Sequence, residues 1–534
     1  AMAMSLTGTE CRARRLLISR QSFRGGRFFA AALLVALSGL DAPVAQAENW
    51  RVTPTLSTRM VSSDNISFSA TDPQSDTVFE VNPGISVRRV SPRINLAAAY
   101  TPRYFHYVDE TFSSRLSHAY NVNGRFEVVD DLFFIDVRAI SSQQNRSVFN
   151  AVPTDNVLSA NQLNNTRTFS VTPSFRGKLR LGDIATWSSS FSSARTESSR
   201  NLGSVSTETF TGALESKPAK IGWRADVSST STDSDRGNTK RDRITGSLIF
   251  RPDASLQLSV RYGFEKGNAF NAGRNPSAQG YQDTYGLGLV WTPTPRTSIR
   301  ADIDKRPFAT TSLLNATHRM AQMAFTATHT RTLTNRAQQL LEPTGVSDLF
   351  DSLSQIEPFA SVTDTIQREQ LMNEFLLSRG LDRFVVGLSP ILTDLEFLQT
   401  RSQFSITRTG ARSTLLLSVF LNESDRGIGS GGITGGDDFD LASVIRQHGW
   451  NATLSHRVGS TSSLVLNYTS TQSNGRSNSL SGLSSNRDVL NLTLSTPLGA
   501  RTNGSIGLRM TRATVISGDV DENALIATLT TRFN

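Results

Sequence analysis

The feature that most restricts what this chain can fold into is a strict two-residue alternation near its C-terminus. Leu490, Leu492 and Leu494 alternate with Asn491 and Thr493, and the bend Pro497-Leu498-Gly499-Ala500-Arg501 reverses the chain. Ile506, Leu508 and Met510 repeat the pattern around Gly507, Arg509 and Thr511, and Leu525, Ala527, Leu529, Thr531 and Phe533 run almost to the last residue. A period of two places every second side chain on one face of a strand. Here one face is aliphatic and the other carries Thr, Ser, Asn and Arg. A soluble sandwich buries such an apolar face between two sheets, whereas a transmembrane barrel turns it to lipid and keeps the polar face around a lumen.

Composition favours the second solution. Hydrophobic residues make up 37% of 534, and the mean hydropathy is -0.25. Beyond the first forty-odd residues no stretch approaches the roughly 20 apolar residues of a membrane helix. A soluble chain this long would normally divide into several domains, yet no linker interrupts the pattern. The N-terminus reads as an export signal with cleavage expected after Ala47: a basic lead-in from Arg12 to Arg27, the apolar run Phe28 to Leu40, and the small-x-small site Ala45-Gln46-Ala47. The only cysteine, Cys11, lies in that leader, so residues 48–534 have no disulfide. Without the leader's six arginines and two acids the net charge falls from +9 to +5. This mild bias, with no basic cluster interleaved with aromatics, argues against nucleic-acid binding.

The alternation recurs throughout. Trp50 to Leu56 opens the series, and Phe79, Val81, Ile85 and Val87 turn through Ser91-Pro92-Arg93 into Ile94, Leu96, Ala98 and Tyr100. Later hairpins turn through Val129-Asp130-Asp131, Arg251-Pro252-Asp253 and Pro293-Thr294-Pro295. Short turns alternate with longer polar loops expected at 62–76, 141–165, 229–241, 265–282, 422–440 and 472–487. This predicts an all-β, antiparallel up-and-down transmembrane β-barrel of about 22 strands (18–22) over residues 48–534, with the short turns periplasmic. Trp50, Tyr104, Trp187, Trp223, Trp291 and Trp450 are expected at strand ends, in the interfacial girdles. A stop on an alternating strand with a near-terminal aromatic resembles the C-terminal assembly signal of bacterial outer-membrane barrels. Leu525, Ala527, Leu529, Thr531 and Phe533 would form it, with outer-membrane lipid and the barrel-assembly machinery as partners.

One stretch departs from the pattern. Over 336–398 the alternation lapses, and Ser347 to Asp351 followed by Asp364 to Leu377 reads as a partly helical insert: a cap or constriction, or an ordinary long loop. Gating is expected there.

Chemistry is otherwise sparse. His106, His118, His318, His329, His448 and His456 show no metal-ligand spacing and read as lumen or interface polar residues. No Gly-x-Ser-x-Gly elbow selects a nucleophile, so no enzymatic activity and no cofactor are expected. The glycines at 427–436 read as a flexible loop, and Asp437 and Asp438 as a solvated acidic tip with at most weak calcium affinity. Candidate lumen-lining residues are Arg103, Arg125, Asp136, Arg138, Arg224, Asp226, Arg261, Arg300, Asp302 and Arg509, which fall opposite apolar faces. Mixed Arg/Asp walls hold sugar hydroxyls and carboxylates, or simply pair with one another.

Trp50-Arg51-Val52-Thr53-Pro54-Thr55-Leu56, Ser63-Asp64-Asn65 and Val81-Asn82-Pro83-Gly84-Ile85 resemble the start of the PEP-CTERM system-associated outer-membrane β-barrel proteins. Asp130-Asp131-Leu132-Phe133-Phe134 with Ser142-Gln143-Gln144, Asp304-Lys305-Arg306-Pro307-Phe308, and Thr334-Asn335-Arg336 with Gln338-Gln339-Leu340-Leu341 extend the resemblance, as does the break before Arg401. Where that family carries a glycine after its Arg-Phe-Phe-like segment, this chain has Pro307-Phe308-Ala309. The resemblance implies the outer membrane of a Gram-negative bacterium. It also implies a role in exopolysaccharide export or secretion, as conduit or accessory, with exopolysaccharide and periplasmic export components as partners. The alternatives are a general or substrate-specific porin and a structural or adhesive barrel. The few residues between Ala47 and the first strand leave no room for the plug of a TonB-dependent transporter.

Overall fold

Strands with one apolar face can cross a bilayer only if no edge amide is left unpaired, so such a sheet must close. The computed structural model shows that closure. The structure describes residues 50–533 except 146, 159–162, 179–183, 199–202, 236, 268–279, 428–436, 477–482 and most of 342–395. The leader and its cleavage site lie outside the described residues.

The chain runs through β1 (Trp50–Ser63), β2 (Asp76–Val90), β3 (Ile94–Tyr107), β4 (Arg115–Val129), β5 (Phe133–Asn145) and β6 (Leu163–Lys178). β7 (Ala185–Ser198), β8 (Ser204–Ser216), β9 (Ile221–Ser234), β10 (Gly237–Phe250), β11 (Leu256–Gly267) and β12 (Gln282–Thr294) follow. After β13 (Thr297–Lys305), β14 (Thr310–Arg319) and β15 (Met323–Thr334) comes the short helix α1 (Arg336–Leu341). β16 (Val346–Asp348) and β17 (Phe384–Val386) pair only with each other. The barrel resumes with β18 (Phe397–Thr409) and β19 (Ser413–Asp425), then the one-turn helix α2 (Asp438–Leu441). It ends with β20 (Val444–Val458), β21 (Ser462–Arg476), β22 (Leu483–Pro497), β23 (Thr502–Val515) and β24 (Gly518–Arg532). Neighbours pair antiparallel, β15 pairs directly with β18, and β24 returns to β1 with Thr55 opposite Arg532 and Ser63 opposite Ala524. The result is a closed barrel of 22 strands.

The two registers of each strand differ as lipid and lumen differ. Phe79, Ile85, Val260, Leu287, Val419 and Ile506 are exposed on the outer face, while Thr168, Thr207, Ser418, Asn451 and Thr511 are buried on the inner face. Aromatics form two outer levels. Trp50, Trp187, Trp223 and Trp291 sit near the turn end, and Phe79, Tyr104, Tyr285 and Trp450 sit higher. Trp50 lies opposite Arg89, and Phe79 opposite Met60. Ten tilted strand residues separate those levels, about 25 Å, the height of an apolar belt.

Three expectations need correction. Residues 229–241 are not a long loop: β9 runs to Ser234 and β10 starts at Gly237. Likewise Trp450 is not at a strand end, because β20 continues six residues beyond it to Val444. Strands project past the lipid belt, and there both faces are polar, so the alternation fades while the backbone pairing persists. In the insert, Ser347 and Asp348 are extended and pair with Val385 and Phe384 rather than forming a helix. Backbone partners from the returning chain outweigh a weak local helical tendency. Most of Asp364–Leu377 lies outside the described residues, although Arg368, Leu371 and Met372 are helical.

Candidate functional site

All the candidate lumen residues fall on the inner register, and their surroundings differ. Arg125 Nε donates to Asp136 at 2.7 Å across β4 and β5. Arg224 bridges Asp226 at 2.8 Å and Glu215 at 2.9 Å. Arg103 lies opposite Ser117, and Arg138 opposite Asn123 and Ser170. Neither makes an ion pair among the described residues.

Arg261 on β11 reaches over β12 to Asp302 at 2.5 Å and Asp304 at 2.8 Å on β13, and Arg300 holds Asp302 at 3.0 Å. The reach is possible because the two inner positions of β12 that lie between them, 286 and 288, are glycines. A Cβ on Gly286 would lie 1.8 Å from Asp304 Oδ1, and one on Gly288 would lie 2.6 Å from Asp302 Oδ1. Sequence reasoning missed Asp304, Glu265 and Arg306 beside them, where Arg306 Nη2 donates to Glu265 at 2.6 Å. The glycines alternating with Tyr285, Leu287 and Leu289 were the available signal.

The second ionic centre was also missed. Asp155, in the connection between β5 and β6, accepts from Arg59 on β1 and, at 2.7 Å, from Arg509 on β23. Arg59 also bonds Glu80, at 3.2 Å, and Arg509 bonds Glu522, at 2.8 Å. Burial alone would raise the Asp155 carboxyl, but the two guanidiniums overcome it and hold the group well below the usual carboxylate range. The connection therefore leaves the β5–β6 hairpin and enters the barrel. Tyr107 Oη donates to Val157 O at 3.0 Å, Ser485 Oγ to Val148 O at 2.8 Å and Arg487 Nη1 to Val152 O at 3.2 Å. Val157 and Leu158 pack with Phe68, Phe105 and Tyr107 in an apolar cluster. The run Val148-Phe149, Val152 and Val157-Leu158 inside a nominally polar loop was its legible sign.

Three long connections meet at the loop end of the barrel. Phe149, Phe397 and Phe439 are fully or almost fully buried together with Ile391 and Ile445. Asp438 accepts from Ser147 Oγ and, at 2.9 Å, from Val148 N–H. Asp437 and Asp438 are thus not a solvated tip: Asp437 caps α2, and Asp438 ties two loops together. Burial, opposed by those two hydrogen bonds and reinforced by Asp437, pushes Asp438 up to about 6. The insert joins the same closure. Asn335 Nδ2 donates to Thr207 Oγ1 at 3.0 Å, Arg336 Nη2 donates to Gly203 O at 2.8 Å, and α1 lies against β5 to β8. Glu396 accepts from Thr232 at 3.2 Å and from Arg241 at 3.1 Å.

Between these ionic centres, and between Arg457 near the turns and Arg487 near the loops, the middle of β19 to β22 presents an inner wall of hydroxyls and amides. Asn451 donates to Thr469 at 2.6 Å, Asn467 to Thr453 at 2.8 Å and Asn422 to Gln447 at 3.3 Å. Chemically the wall offers hydroxyls and amides, which exchange hydrogen bonds with polyhydroxylated solutes. The six histidines all take the outer register, and five bond a hydroxyl, as His329 does with Ser312 and Ser402. They are outer-face residues rather than lumen ones. No cluster of metal-ligating side chains occurs among the described residues. Leu525, Leu529 and Phe533 are exposed on the outer face of the closing strand, and Phe533 N–H donates to Pro54 O at 2.9 Å.

No known family model matches the chain, and no curated protein matches it in sequence. Among solved structures it is similar to the siderophore receptor PirA of Pseudomonas aeruginosa, with 10% identity and a TM-score of 0.36, covering 91% of this chain and 81% of that one. The FrpB iron transporter of Neisseria meningitidis gives 9%, 0.35, 91% and 82%. OprD of Pseudomonas aeruginosa gives 9%, 0.33, 92% and 97%. Superpositions this loose carry no functional reading over to the chain.

Proposed function

We propose that the protein is a Gram-negative outer-membrane barrel that serves exopolysaccharide export as a gated conduit or its accessory, with the short turns facing the periplasm. The observation that carries this reading is the pairing of a hydroxyl- and amide-lined lumen with a loop end laced together by residues 147–158, 335–341, 391, 396 and 437–442. A polar wall with few inward aromatics suits passage of a hydrated polymer better than its retention. A permanently open diffusion pore has no need for three long connections buried in one apolar knot. The even strand number brings the first and last strands to the same end, as a closed up-and-down barrel requires.

Single-channel conductance in planar bilayers tests it, with the intact mature chain, a form lacking 336–396, and one in which 147–158 is replaced by a Gly/Ser linker. The intact barrel should be nearly silent, and each deletion should open it further. Large steady conductance of the intact chain would instead make it a porin. Silence in all three forms would make it a structural barrel.

A further inference from the structure

At the short-turn end, like charges are set side by side. Arg319 N–H donates to Arg296 O at 2.8 Å, Arg457 N–H to Arg412 O at 2.8 Å and Arg532 N–H to Arg501 O at 2.9 Å. In each pair a turn arginine lies against an arginine at the turn end of a nearby strand. Directly opposed like charges destabilise a sheet unless something compensates them. Acidic side chains do not: from the end of β12 round through β24 to the start of β3, the described residues at the turn end include no Asp or Glu. The acids of this end, Glu127, Asp130, Asp131, Glu215 and Asp253, all lie in the other sector, where Asp130 pairs with Arg93, Asp131 with Arg176 and Glu215 with Arg251.

Register decides what the arginines address. Arg319, Arg457 and Arg532 share the inner face with the buried Ala324, with Ser463 and with Thr55, and the Arg319 guanidinium is steadied by donating to Pro295 O of the turn. Lipid headgroups would instead meet Arg89, stacked on Trp50, and Arg408 on the outer face. A ring of one sign at a pore entrance concentrates counter-charged solutes and selects among them, and guanidiniums pair carboxylates in a two-point geometry.

We infer that this inner arginine arc is an entry site for an acidic polysaccharide, one bearing uronate or other carboxylate groups, captured at the periplasmic mouth. The inference rests on the conduit reading above and names its substrate class.

The test is fluorescence anisotropy of end-labelled hexagalacturonate and maltohexaose with the detergent-solubilised full barrel. The acidic sugar should bind at least about tenfold more tightly than the neutral one, and the advantage should collapse between about 50 mM and about 500 mM salt. The combined substitutions R319Q, R457Q and R532Q should remove it, and R89Q with R408Q should leave it intact. Equal binding of both sugars, binding of neither, or indifference to the inner substitutions overturns the inference. Loss of the acidic preference only with R89Q and R408Q assigns the charge to lipid and also overturns it. A barrel that conducts after loop removal without preferring the acidic sugar loses only this inference. One that binds the acidic sugar but never conducts loses the conduit reading and keeps the site.

Discussion

Asp155 shows how a single residue converts a loop into a strap. Its carboxylate lies between Arg59 and Arg509, so Asp155→Asn would leave two guanidiniums without their shared partner. The expected cost to docking of 147–158 is about 2 kcal/mol, as for breaking a buried charged hydrogen bond. Hydrogen exchange should accelerate in that segment, whereas Asp130→Asn at the exposed Arg93 pair should change little. Because the Asp155 carboxyl is held below its ordinary value, its contribution is complete above about pH 4 and is lost only as pH falls through its depressed folded value.

At the scale of elements, the contact between 147–158 and α2 should respond to pH in the opposite sense. Asp438 is raised to about 6, so the docked form binds the proton more readily than the undocked form. Docking is therefore strongest below the ordinary aspartate range and weakens as pH rises through about 6, by roughly 2–3 kcal/mol in total. Exchange of the Val148 and Phe149 amides, relative to its intrinsic rate at each pH, should speed up between about pH 4 and 6. Asp438→Asn keeps an acceptor for Ser147 and Val148 and removes the charge, so it should flatten that profile and slow exchange at pH 8. An unaltered profile in the variant would remove Asp438 from this role.

For the whole molecule, closure through β1 and β24 is what leaves no free edge in the apolar belt. A chain ending at Ile516 would lack β24 and expose the edges of β1 and β23. It should fail to give the compact, heat-modifiable band of a folded barrel in gel electrophoresis. A barrel retained without β24 would mean that closure is achieved by other strands.

The sequence by itself determined the barrel, its approximate strand number and which register faces inward. Lipid imposes a period of two on every crossing segment, and Leu490–Leu494 or Ile506–Met510 display it without reference to any neighbour. It also pointed to inner-face residues such as Arg261 and Asp302, since inward polarity is a local property. Only the tertiary structure decided what those residues meet. Arg261 finds Asp304 because Gly286 and Gly288 clear the strand between them, and Asp155 finds Arg509 because the barrel closes. The strap at 147–158 is not legible in sequence, where 336–398 stands out instead, because a loop's few apolar residues carry no period and their burial depends on walls contributed from the far end of the chain. The arginine pairs are equally silent in sequence: Arg412 and Arg457 become neighbours only when β19 and β20 align, and alignment is a property of the closed sheet.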